Sequence, residues 1–89
     1  MKPTKIVWSK GFTDSYVKKS KSNRHAIDRA LRMMAEDLYH RSLRTKKMEG
    51  WGDIREAHAT LGQTMSLTLN GSEVYLRACC NHDDVYRSP

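Results

Sequence analysis

The dipeptide Asn70-Gly71 constrains the fold of this sequence more than any other feature. It is the preferred pair for a two-residue type I′ turn, and apolar residues alternate with polar residues on both sides of it. A turn at this place would set Thr64 opposite Arg77. The pattern therefore predicts a β-hairpin with one apolar face and one polar face, and Arg77 would lie on the polar face. The alternating apolar positions are Met65, Leu67, Leu69, Val74, Leu76 and Ala78.

In the first half of the chain the apolar spacing changes to the 3.6-residue period of a helix. Ser22 or Asn23 would cap this helix at its N-terminus. A shorter helix precedes it and begins at Lys10, with Ser9 as its cap. The apolar stripe of the longer helix consists of Ile27, Ala30, Leu31, Met34, Ala35 and Leu38.

Two further segments are predicted to be strands. One is the short β-prone run from Lys5 to Trp8, and the other is the less regular stretch from Asp53 to Ala59. The order is then β-α-α-β-β-β, an α+β fold with two N-terminal helices packed on one face of a small antiparallel sheet. The first strand would join the sheet beside the second or the fourth strand. Residues 1–89 form a single domain, and the other sheet face is expected to be free for function.

Positive charge is concentrated at two places in the sequence. The net charge is +6, and residues 1–24 hold seven Lys and Arg against one Asp. A second group of four cations lies between Arg41 and Lys47, with no acidic residue among them. Such surfaces attract phosphate backbones, so nucleic acid is the first partner to expect and an acidic protein the second.

Composition excludes several classes of protein. No apolar run approaches the roughly 18 residues of a membrane span, and the first residues lack the apolar stretch of a signal peptide. Cys79 and Cys80 are adjacent, so they cannot cross-link distant segments, and their spacing is not that of a zinc site. A phosphate-binding glycine loop is also missing from the sequence. We therefore expect a cytoplasmic protein that uses no cofactor and no metal.

Two segments give the sequence a family resemblance. The segment ahead of the second predicted strand reads Arg44-Thr45-Lys46-Lys47-Met48-Glu49-Gly50. The segment after the last strand reads Asn81-His82-Asp83-Asp84-Val85-Tyr86-Arg87. Together with the order of elements, they resemble the RelE/ParE superfamily of bacterial toxins, in which a K-x-L-x-G-like segment and an H-D-x-V-Y-like ending occupy these places. The resemblance spans nearly the whole chain.

The resemblance implies the toxin of a type II toxin–antitoxin system. Such a toxin usually cleaves messenger RNA, on the ribosome or free, and a co-encoded antitoxin holds it inactive. A minority branch acts on DNA gyrase instead. The expected partners are mRNA and an antitoxin whose acidic, amphipathic segment folds onto the basic surface, while DNA is expected only through an antitoxin complex and membranes are not expected.

The residue types at these places suit cleavage of RNA by its own 2′-hydroxyl without a metal. His82 is the predicted general acid or base, because imidazole changes charge near neutral pH, and His58 is a second candidate base. Tyr86 would donate a proton or stack on a base, or would pack the C-terminal residues onto the sheet. Arg77 would stabilise the transition state, and Asp83 would orient an imidazole. The residues predicted to bind RNA phosphates are Lys46, Lys47, Arg55 and Arg87.

One position departs from the family pattern. Many ribonucleases of the family carry an arginine on the third strand, in a Y-R-like pair, and Gln63-Thr64 stands there in this sequence. A principal phosphate-binding cation is therefore missing. Either His58, Arg55 or Arg77 takes its role, or the chain is a noncatalytic binding module that engages an antitoxin or gyrase without cutting RNA.

Overall fold

The computed structural model describes every residue of the chain except the side chains of His82 and Asp83. A single 3-10 turn, Arg41–Leu43, connects the helical half of the chain to the sheet. The helices are α1 (Lys10–Val17), α2 (Lys21–Glu36) and α3 (His82–Arg87). The strands are β1 (Lys5–Trp8), β2 (Lys46–Lys47), β3 (Arg55–His58), β4 (Thr64–Asn70) and β5 (Glu73–Cys80).

The strands form one sheet in the order β1-β5-β4-β3-β2. The predicted α+β class and the succession of two helices before the main strands are confirmed. The sheet is mixed rather than wholly antiparallel, because β1 runs parallel to β5, at the edge beside the last strand. The sequence pattern does not predict β2 or α3, since two residues and six residues are too few to display a period.

Side-chain caps set the boundaries of the two long helices. Ser9 Oγ accepts a hydrogen bond from the Phe12 backbone N–H at 3.0 Å, so α1 begins directly after Ser9, as predicted. The predicted start of α2 is wrong, because the cap is Ser20 rather than Ser22 or Asn23. Ser20 Oγ accepts from the Asn23 backbone N–H at 3.2 Å, which adds two residues to the first turn.

The core lies between the first two helices and one face of the sheet. Four positions of the predicted α2 stripe are fully buried, Leu31 is partly buried and Ala35 is exposed. Each large apolar side chain that is removed from water stabilises the fold by about 1.5–3 kcal/mol. The buried cluster consists of Phe12, Ile27, Ala30, Met34, Leu38, Leu43, Ala57, Met65, Leu67, Val74, Leu76 and Cys79.

The β4–β5 hairpin turns one residue later than the sequence pattern predicts. Asn70 pairs with Glu73, so the turn residues are Gly71 and Ser72. Gly71 has a φ of +62° and Ser72 does not have a positive φ, which is the combination found in type II′ turns. Both primed turns match the twist of a hairpin, so the dipeptide alone cannot distinguish these two registers.

A β-bulge moves Arg77 away from its predicted place. The pairing of β5 with β4 skips Arg77, which becomes the extra residue of a bulged strand. Thr64 lies opposite Cys80, so the prediction that sets Arg77 opposite Thr64 is wrong. Strict alternation misses the bulge because it assumes an unbroken ladder of pairs.

The turn supplies a first stability prediction. We expect Gly71→Ala to lower the free energy of unfolding by about 1 kcal/mol, because only glycine adopts positive φ without a steric penalty. The added methyl group would meet open space, so the penalty comes from the backbone alone. Gly62→Ala is the matched control, since Gly62 also faces open space but has no positive φ. Urea unfolding measures both variants, and an equal change in their free energies of unfolding would contradict the turn assignment.

The sheet face opposite the core is not free, contrary to the prediction. We call it the α3 face; it carries Glu56, His58, Thr64 and Ser66, and α3 packs against its β4 and β5 strands. Val85 of α3 is fully buried there. α3 therefore covers only part of this face, and the edge near β2 and β3 stays open.

Candidate active site

A buried carboxylate organises the open edge of the α3 face. Strand alternation sends Ala57 into the core and turns Glu56 and His58 to the opposite side. The Glu56 side chain is 1% exposed. Its Oε1 lies 3.1 Å from His58 Nε2 and 3.6 Å from Lys46 Nζ, and its Oε2 accepts a hydrogen bond from the Tyr86 hydroxyl. Side chains from β2, β3 and α3 thus converge on one carboxylate, and we call these four residues the Glu56 cluster.

His58 is held at both ring nitrogens. Nε2 faces the Glu56 carboxylate, and Nδ1 lies 3.3 Å from the Thr64 hydroxyl oxygen. A neutral ring would donate from Nε2 and accept the Thr64 hydroxyl proton at Nδ1, whereas a protonated ring would donate from both nitrogens. A hydroxyl serves as donor or acceptor, so His58 can gain or release a proton without moving its neighbours. Thr64, the residue that departs from the family pattern, supports this imidazole.

Two members of the Glu56 cluster, Glu56 and Tyr86, have shifted pKa values. Burial alone would raise the pKa of Glu56, but the hydrogen bonds from Tyr86 and His58, with the positive charges of His58 and Lys46, outweigh it and lower that pKa. The hydrogen bond to Glu56, assisted by burial, raises the pKa of Tyr86 to about 12. At neutral pH the cluster therefore contains an ionised carboxylate and a neutral phenol.

A cavity of about 480 Å³ opens beside the cluster. Three residues of the cluster line it together with a second cation and an exposed leucine. The lining residues are Arg44, Lys46, Glu56, His58 and Leu61. Arg44 has a φ of +48° and is the one non-glycine residue with a positive φ in the described backbone. Backbone strain of this kind concentrates at functional sites, where the surrounding structure maintains it.

Three residues predicted for the site come together in the cluster. His58, Lys46 and Tyr86 all contact Glu56. Lys47 and Arg55 form a cross-strand pair one position away from Lys46 and Glu56, so strand alternation turns them to the opposite sheet face.

Two other predicted cations lie outside the cavity. Arg77 donates from Nε to the Pro89 carbonyl at 3.2 Å and lines a separate cavity beside α1. Arg87 is 81% exposed, and its Nη1 lies 3.8 Å from Asp84 Oδ1. The side chains of His82 and Asp83 lie outside the described part of the chain, so their predicted roles stay predictions.

Sequence reasoning misses three residues of this site. Glu56 is the most important of them, and Arg44 and Leu61 are the others. The spacing of Glu56 and His58, two apart in a predicted strand, is a usable signal because such positions share a face. The sequence offers no comparable sign that Leu61, in the connection between β3 and β4, would line a cavity.

The bond between Tyr86 and Glu56 can be measured directly. We expect Glu56→Gln to lower the pKa of Tyr86 from about 12 toward its ordinary value of about 10, because the amide no longer favours the neutral phenol by charge. The ultraviolet absorbance of tyrosinate reports this titration, and Tyr86→Phe identifies which transition belongs to Tyr86. Tyr16 is the internal control, since its raised pKa depends on a hydrogen bond to Asp28. An unchanged Tyr86 transition in Glu56→Gln would mean that the two groups do not interact in solution.

Two broader features concern membranes and metals. None of the helices in the described part of the chain combines the length and the apolar content needed to cross a bilayer. Among the described side chains, no three His, Cys, Asp or Glu residues are grouped so that they could hold a metal ion.

Solved structures with a similar fold include a toxin and two toxin–antitoxin complexes. A chain of the E. coli DinJ-YafQ toxin-antitoxin complex has a TM-score of 0.75 at 11% identity, covering 97% of this chain and 99% of that chain. The YoeB/ParE toxin from Agrobacterium tumefaciens has a TM-score of 0.73 at 15% identity, with coverage of 89% and 99%. The RelB-RelE antitoxin-toxin complex from Methanococcus jannaschii contains a chain with a TM-score of 0.70 at 15% identity, with coverage of 93% and 99%.

These similarities define the fold of the chain. No protein-family model matches the sequence, and no curated protein does so either. The chain has the fold of the RelE, YafQ and YoeB toxins over nearly its full length. The fold expected from the RelE/ParE resemblance is thereby confirmed.

Proposed function

We propose that this chain is the toxin of a type II toxin–antitoxin pair and that it cleaves mRNA in the cytoplasm. The observation that carries the proposal is the Glu56 cluster, where acid–base groups and a cation meet at the edge of a cavity. Cleavage through the RNA's own 2′-hydroxyl needs a base, an acid and positive charge near the phosphate, and these side chains supply all three without a metal.

Each residue of the site has a role in this reaction. His58, which lines the cavity, accepts the proton of the 2′-hydroxyl as the general base, and Glu56 stabilises the resulting imidazolium. The attacking oxygen forms a bond to phosphorus as the bond to the 5′-oxygen breaks. Tyr86 and His82, both on α3, are the proposed donors of a proton to that leaving oxygen.

Positive charge is needed because the phosphate must approach a carboxylate. Lys46 and Arg44 line the cavity with Glu56, so they offset its negative charge and stabilise the charge that gathers on the phosphate oxygens. Of the four residues predicted to bind RNA phosphates, which are Lys46, Lys47, Arg55 and Arg87, this proposal keeps Lys46 and adds Arg44.

The proposed protein partner is an antitoxin with an acidic segment. Two of the similar structures are complexes of a toxin with an antitoxin. The excess positive charge of residues 1–24 is suited to an acidic, amphipathic segment that folds as it binds.

Expression of the chain alone in a bacterial host tests the proposal. We expect growth arrest, with new mRNA 5′ ends that disappear in His58→Ala and decrease strongly in Tyr86→Phe and His82→Ala. Tyr39→Phe is the matched control for Tyr86→Phe, because Tyr39 is 48% exposed and lies outside the Glu56 cluster. Arrest with intact mRNA would contradict cleavage and favour a gyrase-directed toxin. No arrest from folded protein would favour a noncatalytic binding module, an alternative that the Gln63-Thr64 departure supports.

Arg44 gives a prediction in which stability and activity change in opposite directions. We expect Arg44→Gly to raise the free energy of unfolding by about 0.5–1 kcal/mol, since glycine removes the strain of the positive φ. RNA cleavage would fall by about tenfold or more, because a cation that faces the phosphate is lost. Arg41→Gly is the control, as Arg41 lies in the adjacent 3-10 turn without a positive φ. If Arg44→Gly lowers both the free energy of unfolding and the cleavage rate, Arg44 is not a strained functional residue.

A further inference from the structure

Leu61 stands apart from the other residues of the cavity. It is 86% exposed, more than any other large apolar side chain in the described part of the chain. The remaining lining residues are charged or titratable, so Leu61 is the apolar member of this set. Scattered surface leucines need no explanation, but this one lies at the edge of the candidate active site.

The loop that carries Leu61 is rigidly built. Thr60 Oγ1 accepts hydrogen bonds from the backbone N–H groups of Gly62 at 3.2 Å and Gln63 at 3.1 Å. The Ala59 N–H donates to the Gln63 carbonyl at 2.9 Å, which closes the connection between β3 and β4. This tight turn holds Leu61 out in water beside the cavity instead of letting it fold against the sheet.

The lining of the cavity matches the phosphate and the base of a nucleotide. Arg44 and Lys46 are suited to a phosphate, and an exposed leucine is suited to the flat, apolar face of a base that has left its stack. The volume of about 480 Å³ lies within the range of about 300–1,000 Å³ that is usual for small-ligand sites. A lysine or arginine at position 61 would instead favour phosphate alone.

We propose that Leu61 packs against the base of a nucleotide next to the scissile phosphate and thereby sets the register and the base preference of cleavage. This inference rests on the proposed function, because it assigns a substrate contact at the same site. A purine has a larger face than a pyrimidine and buries more of the leucine, so cleavage beside purines is favoured. Leu61 contacts the base and takes no part in proton transfer.

The contact is tested by removing the base from the RNA, by replacing Leu61 in the protein, and by combining the two changes. The substrate is a short RNA with the mapped cleavage sequence, and in parallel RNAs each nucleotide beside the cut is made abasic in turn. We expect one abasic position to lower kcat/KM of the wild-type protein by about tenfold, because the apolar contact between the leucine and the base is lost. Leu61→Ser should lower kcat/KM by a similar factor on the intact RNA. The kcat/KM of this variant should fall little further when the RNA is abasic at that position. Leu61→Met should retain most of the wild-type rate.

A matched control and a binding measurement separate the possible outcomes. Val17→Ser removes another exposed apolar side chain, 60% exposed on α1, and should leave every rate unchanged. The inference is overturned if Leu61→Ser cleaves intact RNA at the wild-type rate. It is also overturned if, at every abasic position, the decrease in kcat/KM from Leu61→Ser and the decrease from the missing base multiply, as two independent effects would. If the wild-type protein cleaves no RNA, with or without ribosomes, the proposed function fails. Leu61 is then judged by the affinity of uncleavable 2′-O-methyl RNA, which Leu61→Ser should weaken only when the base is present.

Discussion

Glu56→Gln is expected to slow RNA cleavage by about 100- to 10,000-fold, the range that a positioned acid–base group contributes. The substitution keeps the shape of the side chain. It removes the negative charge that stabilises the His58 imidazolium formed when His58 accepts the proton of the 2′-hydroxyl. The amide oxygen still accepts one hydrogen bond, but its NH₂ group meets a site built for an acceptor. We therefore also expect the free energy of unfolding to fall by about 1–3 kcal/mol.

Single-turnover cleavage of a defined RNA, together with urea unfolding, measures both effects of this substitution. Glu36→Gln is the matched control, because this glutamate lies exposed in the last turn of α2 and should leave both quantities unchanged. A Glu56→Gln protein that folds and cleaves like the wild type would remove Glu56 from the reaction. A loss of stability without a loss of cleavage would reduce the cluster to a structural role.

Phe12→Ala is expected to lower the free energy of unfolding by about 3–5 kcal/mol, the usual cost of replacing a buried phenylalanine by alanine. Phe12 is fully buried where α1 meets the sheet, and its ring lies 4.9 Å from that of Trp8 in an edge-to-face arrangement. A small domain has a total stability of about 5–15 kcal/mol, so this single change should leave a substantial unfolded fraction in mild denaturant.

The size of this loss is measured by urea unfolding against a control on the same helix. Val17→Ala removes an apolar side chain that is 60% exposed and should change the free energy of unfolding by less than about 0.5 kcal/mol. A loss of less than about 1 kcal/mol in Phe12→Ala would mean that α1 is not packed on the sheet as described. Far-ultraviolet circular dichroism would confirm that both variants keep their helices before denaturant is added.

The fold follows from the sequence wherever one local pattern decides it. The α2 stripe and the alternating strands predict the α+β class because each describes one buried face. The register of the hairpin does not follow, since Asn70-Gly71 suits a type I′ turn, Gly71-Ser72 suits a type II′ turn, and a bulge disrupts the period without a sign in the sequence. The place of β1 beside β5 depends on packing across the whole sheet, which no local pattern contains.

The site is predictable only in part, for a related reason. His58, Lys46 and Tyr86 can be proposed from residue type and from the resemblance, yet their meeting point, Glu56, is found only when β2, β3 and α3 are assembled. Charge alone misdirects the choice of cations, because strand alternation and the bulge decide which cations face the cavity. Arg77 lies elsewhere, and Arg44 and Lys46 line the cavity.

Cleavage of a message with one altered ribose tests the central proposal most directly. A purified translation mixture would receive the wild-type protein and an mRNA whose mapped cut site carries either the normal ribose or a single 2′-deoxyribose. We predict that the normal message is cut, leaving a 2′,3′-cyclic phosphate and a 5′-hydroxyl, and that the 2′-deoxy message stays intact at that position. Cutting of the 2′-deoxy message, or a normal message that is never cut, would contradict attack by the 2′-hydroxyl at the Glu56 cluster.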